Sequence, residues 1–369
     1  MRILVVNWND RENPFGGGAE VHLHEIFGRL ASSGNRIDLL SSGWNGCSPR
    51  GFLDGIDIHR VGTRYTFPFH ARRYYRERLS AQHYDVIVED LNKIPLYTPR
   101  WGNTQVVVLV HHLFGPTIFR EASPPMAAAV WLAERGISAV YKNLPFEAVS
   151  ESTADDLAAR GIPRKNVKVI YNGMDTEFFT PDAGTRSPNP LFSYVGRLKR
   201  YKGVNLILQA FAQVGSPNAR LEIAGTGDFR GELEKLTDHL GLRARVRFLG
   251  FISAEEKRDL LRRSWATVFA SPKEGWGLTN LEAQACGTPA IASDSPGLRE
   301  SLIDGKTGIL VPHADTVALA SAMRRIAASR DLVDGLGSAG RRFAEQFTWG
   351  RAANETLLHL HQVTQRGNT

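Results

Sequence analysis

The chain has 369 residues, 42% of them hydrophobic and 22% charged, with 35 glycines, a balance that excludes a disordered or collagen-like chain and suits a globular protein with many tight turns. Its length fits two domains of about 100–200 residues each. The net charge is +7, and most of the excess lies after residue 180, where 25 Lys/Arg meet 19 Asp/Glu, against 20 and 19 before it. A basic second half suits an anionic substrate or an acidic surface. Nucleic acid is not expected, because no helix-turn-helix, zinc finger or aromatic RNA-binding motif accompanies the charge.

In chain order, an apolar run at 3–6 reads as a strand. The string Phe15-Gly-Gly-Gly-Ala-Glu20 then opens a helix over 20–32, followed by a strand at 36–40. Between 60 and 78 stand six arginines, Arg60, Arg64, Arg72, Arg73, Arg76 and Arg78, against the single Glu77, interleaved with Tyr65, Phe67, Phe69, Tyr74 and Tyr75. Cations mixed with aromatics suit an anionic membrane surface or a phosphorylated lipid acceptor, and equally a solvated helix face over ordinary core aromatics. Strands follow at 86–89, 106–110 and 146–149, with a helix over 153–160. Asn172-Gly-Met-Asp175 reads equally as a tight turn or as a ligand contact, and the Pro/Gly/Ser-rich stretch 180–190 reads as a linker.

The pattern then restarts with strands at 191–195, 220–224, 246–248 and 266–270, alternating with helices over 206–214, 232–240 and 278–286; a last helix spans about 352–363. Continuous apolar strands separated by helices argue for two parallel, doubly wound α/β sheets covered on both faces. Cys47 and Cys286 form neither a disulfide framework nor a metal knuckle, which points to a reducing compartment. No run reaches the roughly 18–20 apolar residues of a membrane span, and none near Met1 has signal-peptide character. The expected location is the cytoplasm, with peripheral binding to the inner face of the membrane as an option.

The most informative segment is Ser271-Pro-Lys-Glu-Gly-Trp-Gly-Leu-Thr-Asn-Leu-Glu-Ala-Gln-Ala-Cys-Gly-Thr-Pro289, with Glu274 and Glu282 eight residues apart. Gly275 and Gly277 precede a helix start, where unpaired N–H groups and the helix dipole favour an anion such as a diphosphate. Carboxylates only accept hydrogen bonds, so the two glutamates suit a hydroxyl-rich ligand. Taken alone, such a pair is usually solvated surface. Arg197, in Tyr194-Val-Gly-Arg-Leu-Lys-Arg-Tyr-Lys-Gly203, offers a planar fork for phosphate, and Lys202 offers a point charge; Lys199 and Arg200 are lesser candidates. Gly17 and Gly18 allow backbone to approach a phosphate, but their spacing is not that of a dinucleotide fingerprint. His111 and His112 follow a buried strand at the end where α/β sheets place ligands.

These motifs together resemble glycosyltransferase family 4: a Glu, seven residues and a second Glu, with Gly275, Gly277, Leu281, Ala285, Cys286, Gly287, Thr288 and Pro289 also in the family's places. The resemblance extends to the Gly-Gly-x-Glu loop, Gly-Arg-Leu followed by Lys-Gly, and a strand ending in His. It implies the GT-B fold, two doubly wound Rossmann-like domains facing across a cleft, with domains at 1–180 and 181–349 and a last helix, 350–369, crossing back onto the first. It also implies a retaining hexosyltransferase that uses a nucleotide-diphosphate sugar, UDP or GDP, with front-face attack by the acceptor and domain closure around the donor. In that picture Glu274, His111, Arg197 and Lys202 are catalytic. Glu274 holds sugar hydroxyls, His111 the sugar or its oxocarbenium-like form, and Arg197 and Lys202 the leaving diphosphate. Gly17, Gly18, Gly225, Gly227, Phe251, Ile252, Gly275, Trp276, Gly277, Leu278 and Glu282 bind the donor, with Glu282 on the ribose. The chain shows no Asp-x-Asp motif, and no metal or other cofactor is expected. The acceptor is expected to be a cell-envelope glycan or a lipid-linked precursor. A nucleotide-sugar epimerase and a non-catalytic nucleotide-sugar-binding partner are the alternatives.

Overall fold

The computed structural model describes residues 1–366 apart from 92–93, 114, 121–123 and 183. Ala183 of the 180–190 stretch thus lies outside the described residues. The chain divides into two compact units, Met1–Gly173 with Trp349–Thr369, and Met174–Thr348. The division falls at Gly173/Met174, ahead of the Pro/Gly-rich stretch.

Unit 1 runs β1 (Arg2–Val6), α1 (Gly18–Ser32), β2 (Arg36–Gly43), β3 (Arg50–Leu53), β4 (Ile56–Thr63), α2 (Phe67–Tyr74), β5 (Val86–Asp90), β6 (Val106–Val110), α3 (Pro124–Arg135), α4 (Ile137–Tyr141), β7 (Phe146–Ala148), α5 (Glu151–Ala159) and β8 (Val167–Val169). Among the described residues its sheet has the order β3-β4-β2-β1-β5-β6-β7-β8, all parallel except the β3–β4 pair. That hairpin, which periodicity did not reveal, turns on Asp54-Gly55, both at positive φ (55° and 79°), the conformation that Asp-Gly favours. β5 and β6 are buried along their whole length, because helices cover both faces of a parallel sheet.

Unit 2 runs β9 (Leu191–Val195), α6 (Val204–Ala212), β10 (Arg220–Ala224), α7 (Arg230–His239), β11 (Val246–Gly250), α8 (Ala254–Arg263), β12 (Ala266–Phe269), α9 (Leu278–Ala285), β13 (Ala290–Ser293), β14 (Gly308–Val311), α10 (Thr316–Ala328) and α11 (Arg330–Ala344). Its parallel sheet has the order β11-β10-β9-β12-β13-β14. In order of appearance this is 3-2-1-4-5-6, which reverses direction between β9 and β12. Such a reversal opens a crevice at the carboxyl ends of the two strands, where α/β sheets bind ligands. In unit 1 the same reversal falls between β1 and β5.

The last helix, α12 (Trp349–Arg366), belongs to unit 1. It buries Trp349, Ala352, Ala353 and Leu360. Thr356 Oγ1–H donates to Glu147 Oε2 (3.3 Å), and His359 Nδ1 pairs with Glu147 Oε1 (2.8 Å). Because Glu147 is itself buried, these bonds satisfy a carboxylate that would otherwise be costly to hold in β7.

Candidate active site

The crevice end of unit 2 is built from the loops after β9 and β12. Lys202 comes from the first and Glu274 from the second, and Lys202 Nζ donates to both Glu274 oxygens at 2.6 and 2.7 Å. Ser271 Oγ–H adds a third bond to Glu274 Oε1 (2.7 Å), and the Glu274 amide is held by Pro296 O (3.0 Å). Burial opposes the Lys202 charge, but the Glu274 carboxylate outweighs it and holds the ammonium's pKa above its ordinary value. Burial and then the charge of Glu274 push the Tyr194 phenol well up, so it stays protonated; its O–H donates to Arg197 O (3.0 Å). The Arg197 guanidinium is exposed and reaches Tyr201 OH at 3.4 Å.

Immediately after Glu274 the chain turns into α9 through Gly277 (φ 83°), its N-cap. A Cβ on Gly277 would sit 2.8 Å from Ser301 Oγ, and one on Gly297 (φ 80°) would sit 2.2 Å from Glu274 O. Both glycines are therefore fixed by close approach, and together they aim the helix start past Glu274. Gly275 and Leu278 line this start half-buried. The Trp276 indole is buried (3%) against Phe347, with ring centroids 5.3 Å apart. Glu282 lies further along α9 and accepts from Lys257 Nζ (2.6 Å).

The remaining donor-side positions have structural duties of their own. Gly225 and Gly227 bring the loop after β10 against the loop after β9: added Cβ atoms would stand 1.9 Å from Gly196 O and 2.1 Å from Leu198 O. The Leu198 amide donates to Thr226 O (2.8 Å) across this contact. Phe251 is 83% exposed, and Ile252 packs beside Leu191, Ala224 and Leu260. Lys199 pairs with Asp228 and Arg200 with Glu232, each at 2.7 Å and at the surface, where such pairs contribute little.

In unit 1 the Gly-rich loop follows β1. Gly17 N–H donates to Glu20 Oε2 (2.6 Å), and Asn9 Nδ2–H donates to Glu20 Oε1 (3.2 Å). An added Cβ on Gly17 would meet only Glu20 Oε2 at 3.9 Å, and one on Gly18 nothing within 4 Å. Packing thus explains the glycines at 225, 227, 277 and 297 but not those at 17 and 18. His111 follows β6 and contacts Asp90, the last residue of β5, through Nε2 at 3.3 Å. The His22 ring stands edge-on to His111, 4.8 Å between centroids.

The 60–78 stretch needs one correction. Arg60 lies in β4, 7% exposed, with Nε and Nη2 on Asp10 (2.7 and 3.0 Å), another bond to Glu12, and its guanidinium over Trp44. A buried cation must be paired, so Arg60 anchors the loop leading to the glycines and is no surface cation. Phe67 and Tyr75 are core residues. Arg64, Tyr65, Phe69, Arg72, Arg73, Arg76 and Arg78 are exposed.

Two family models together match residues 16–343: Glycosyltransferase Family 4 over residues 16–178 and Glycosyl transferases group 1 over residues 175–343. The chain belongs to the family 4 glycosyltransferases of GT-B fold. A D-inositol 3-phosphate glycosyltransferase from Streptomyces bingchenggensis is 32% identical over 64% of this chain, and the match spans 56% of that relative's length. A sucrose-phosphate synthase from Thermosynechococcus elongatus superposes with a TM-score of 0.85 at 23% identity, covering 99% of both chains. The Anabaena HepE structure in complex with UDP-glucose superposes with a TM-score of 0.78 at 19% identity, covering 98% of this chain and all of that one. As a glycosyltransferase, the chain carries two Rossmann-like domains, and the sequence motifs fall at the strand ends that such domains use.

Each unit also holds, beside its candidate residues, a residue that sequence reasoning missed. Lys257 was invisible because its partner Glu282 is 25 residues away on another helix. Asp90 stood one residue beyond the expected end of its strand. Glu20 was seen only as part of the glycine motif, yet it is buried and braces the loop.

Proposed function

We propose that this glycosyltransferase moves a hexose from a nucleotide-diphosphate sugar to a hydroxyl acceptor with retention of anomeric configuration. The observation that carries the reading is the Lys202–Glu274 pair at the crevice end of unit 2, next to the glycine-shaped start of α9. In this reading Arg197, Lys202 and the N–H groups at 275–278 stabilise the charge that develops on the diphosphate as the glycosidic bond breaks. Glu274 accepts from sugar hydroxyls and Glu282 from the ribose. No metal is needed, because protein cations and the helix terminus carry the charge. Gly17, Gly18 and His111 are the proposed ligand-facing positions of unit 1; the space around the two glycines supports this. The UDP-glucose complex of the Anabaena structure supports a nucleotide sugar as donor.

A lipid-linked or cell-envelope acceptor at the inner face of the membrane completes the reading. Its support is the exposed set Phe15 (62%), Tyr65 (71%) and Phe69 (79%), with Arg64 over the rings of both Phe15 and Tyr65. Among the described residues no helix is long and apolar enough to cross a membrane, so contact would be peripheral. Vesicles containing anionic phospholipid should sediment the protein, and neutral vesicles should not; equal sedimentation with both removes this part.

The test of the main reading offers UDP-, GDP- and ADP-sugars and follows nucleotide release with and without acceptor, in EDTA. Release from one donor class is expected. Tight nucleotide binding with no release under any condition would instead identify a binding module.

A further inference from the structure

Asp90 and His22 are buried polar residues beside His111 that nothing in the proposed chemistry uses. Asp90 is fully buried at the end of β5. Its Oδ2 lies 3.3 Å from His111 Nε2, and its Oδ1 has no hydrogen-bond partner among the described residues. A buried carboxylate must be paired. His22, on α1, cannot serve: it is edge-on to His111, its Nδ1 is also without a partner, and Trp349 of α12 backs its ring at 5.9 Å. Glu20, also on α1, acts on His111 through its charge. From α5, Thr153 Oγ1–H holds the His111 carbonyl at 3.0 Å.

We propose that Asp90 is a positioning residue that orients His111 and favours its cationic form. A carboxylate only accepts, so Nε2 carries the proton that points at Asp90, and Nδ1, on the other side of the ring, is the nitrogen left for a ligand. Cationic His111 then offers an N–H from Nδ1, suited to a ligand oxygen that gains negative charge. The burial of His111 opposes its charge, but Asp90's charge and hydrogen bond, with Glu20 behind them, win and raise its pKa. His22 moves the opposite way, well down, by burial and then by the charge of His111. The two rings are thus shifted in opposite directions. The ligand role of Nδ1 rests on the glycosyl-transfer reading; the protonation state does not.

The test is a pH titration of the histidine ring nitrogens by 1H–15N NMR on the full chain, with His111 assigned by its loss in His111→Gln. In the wild type the midpoint should lie above the ordinary value of about 6.5, with Nε2 protonated throughout. Asp90→Asn should lower it by about 1–3 pH units, and Asp90→Glu should recover part of the drop. A wild-type midpoint at or below 6.5, or an unchanged midpoint in Asp90→Asn, overturns the proposal. The wild-type measurement decides even if the variants fail to fold. The raised wild-type midpoint and its drop in Asp90→Asn, found together with no nucleotide release from any donor, would overturn the glycosyl-transfer reading alone.

Discussion

At the scale of single residues, the Lys202–Glu274 pair links stability to function. Side-chain exposure of 16% and 20% makes each charge depend on the other. Glu274→Ala should abolish nucleotide release and also destabilise the fold by about 1.5–3 kcal/mol, since Lys202 loses two charge-assisted hydrogen bonds. Adding Lys202→Met should restore much of that stability and none of the activity, because the uncompensated cation is gone. Urea denaturation of the two variants separates the effects, and full activity in Glu274→Ala would remove Glu274 from the site.

His22 and His111 make opposite pH predictions. The folded pKa of His22 is depressed, so its contribution is complete above about 6.5 and is lost as pH falls below that value, when the unfolded chain binds the extra proton. The folded pKa of His111 is raised, so its contribution is complete below about 6.5 and is lost as pH rises through the folded value. Thermal melts from pH 5 to 8 should show a weaker acid-side loss in His22→Gln than in the wild type. An unchanged acid limb would mean that another group dominates it.

At the scale of elements, the glycines divide by the cause of their presence. Gly297→Ala must both adopt positive φ and clash with the Glu274 carbonyl, so it should destabilise by more than about 1 kcal/mol. Gly18→Ala, at the first position of α1 with open space around it, should leave stability within about 0.5 kcal/mol. A drop in donor affinity for Gly18→Ala without a change in melting temperature would then report ligand contact at that backbone.

The same division explains what could be read in advance. β5, β6, β9 and β12 were legible because both of their faces are apolar, and α9 because its glycine start and Gly287 stop are local signals. Lys202 and Glu274 were legible as separate motif members, but their mutual bonding joins positions 72 residues apart. Arg60 misled because its counter-charges, Asp10 and Glu12, lie about fifty residues upstream, while the arginines that follow it in sequence are solvent-facing. The β3–β4 hairpin was missed because β3 has four residues, none of them buried, and β4 interrupts its apolar residues with Asp57, His59 and Arg60, although Asp54-Gly55 announced the turn.

At the scale of the whole chain, each unit has its own sheet and its own core. A fragment covering 174–348 should therefore unfold cooperatively by itself, followed by circular dichroism in urea. A chain stopped at Thr348 should keep this transition and lose that of unit 1, since Glu147, His22 and the face of α1 would lack α12. Survival of both transitions would show that α12 is dispensable.

The return of α12 also bears on the order of events on the ribosome. The chain leaves the exit tunnel from its N-terminus, so the first 173 residues emerge early but lack the helix that closes their unit until the 175 residues of unit 2 have been made. Unit 2 is contiguous and can fold as soon as it has emerged. The half synthesised first should thus be the half completed last, and until then it offers nascent-chain binders an unfinished apolar surface.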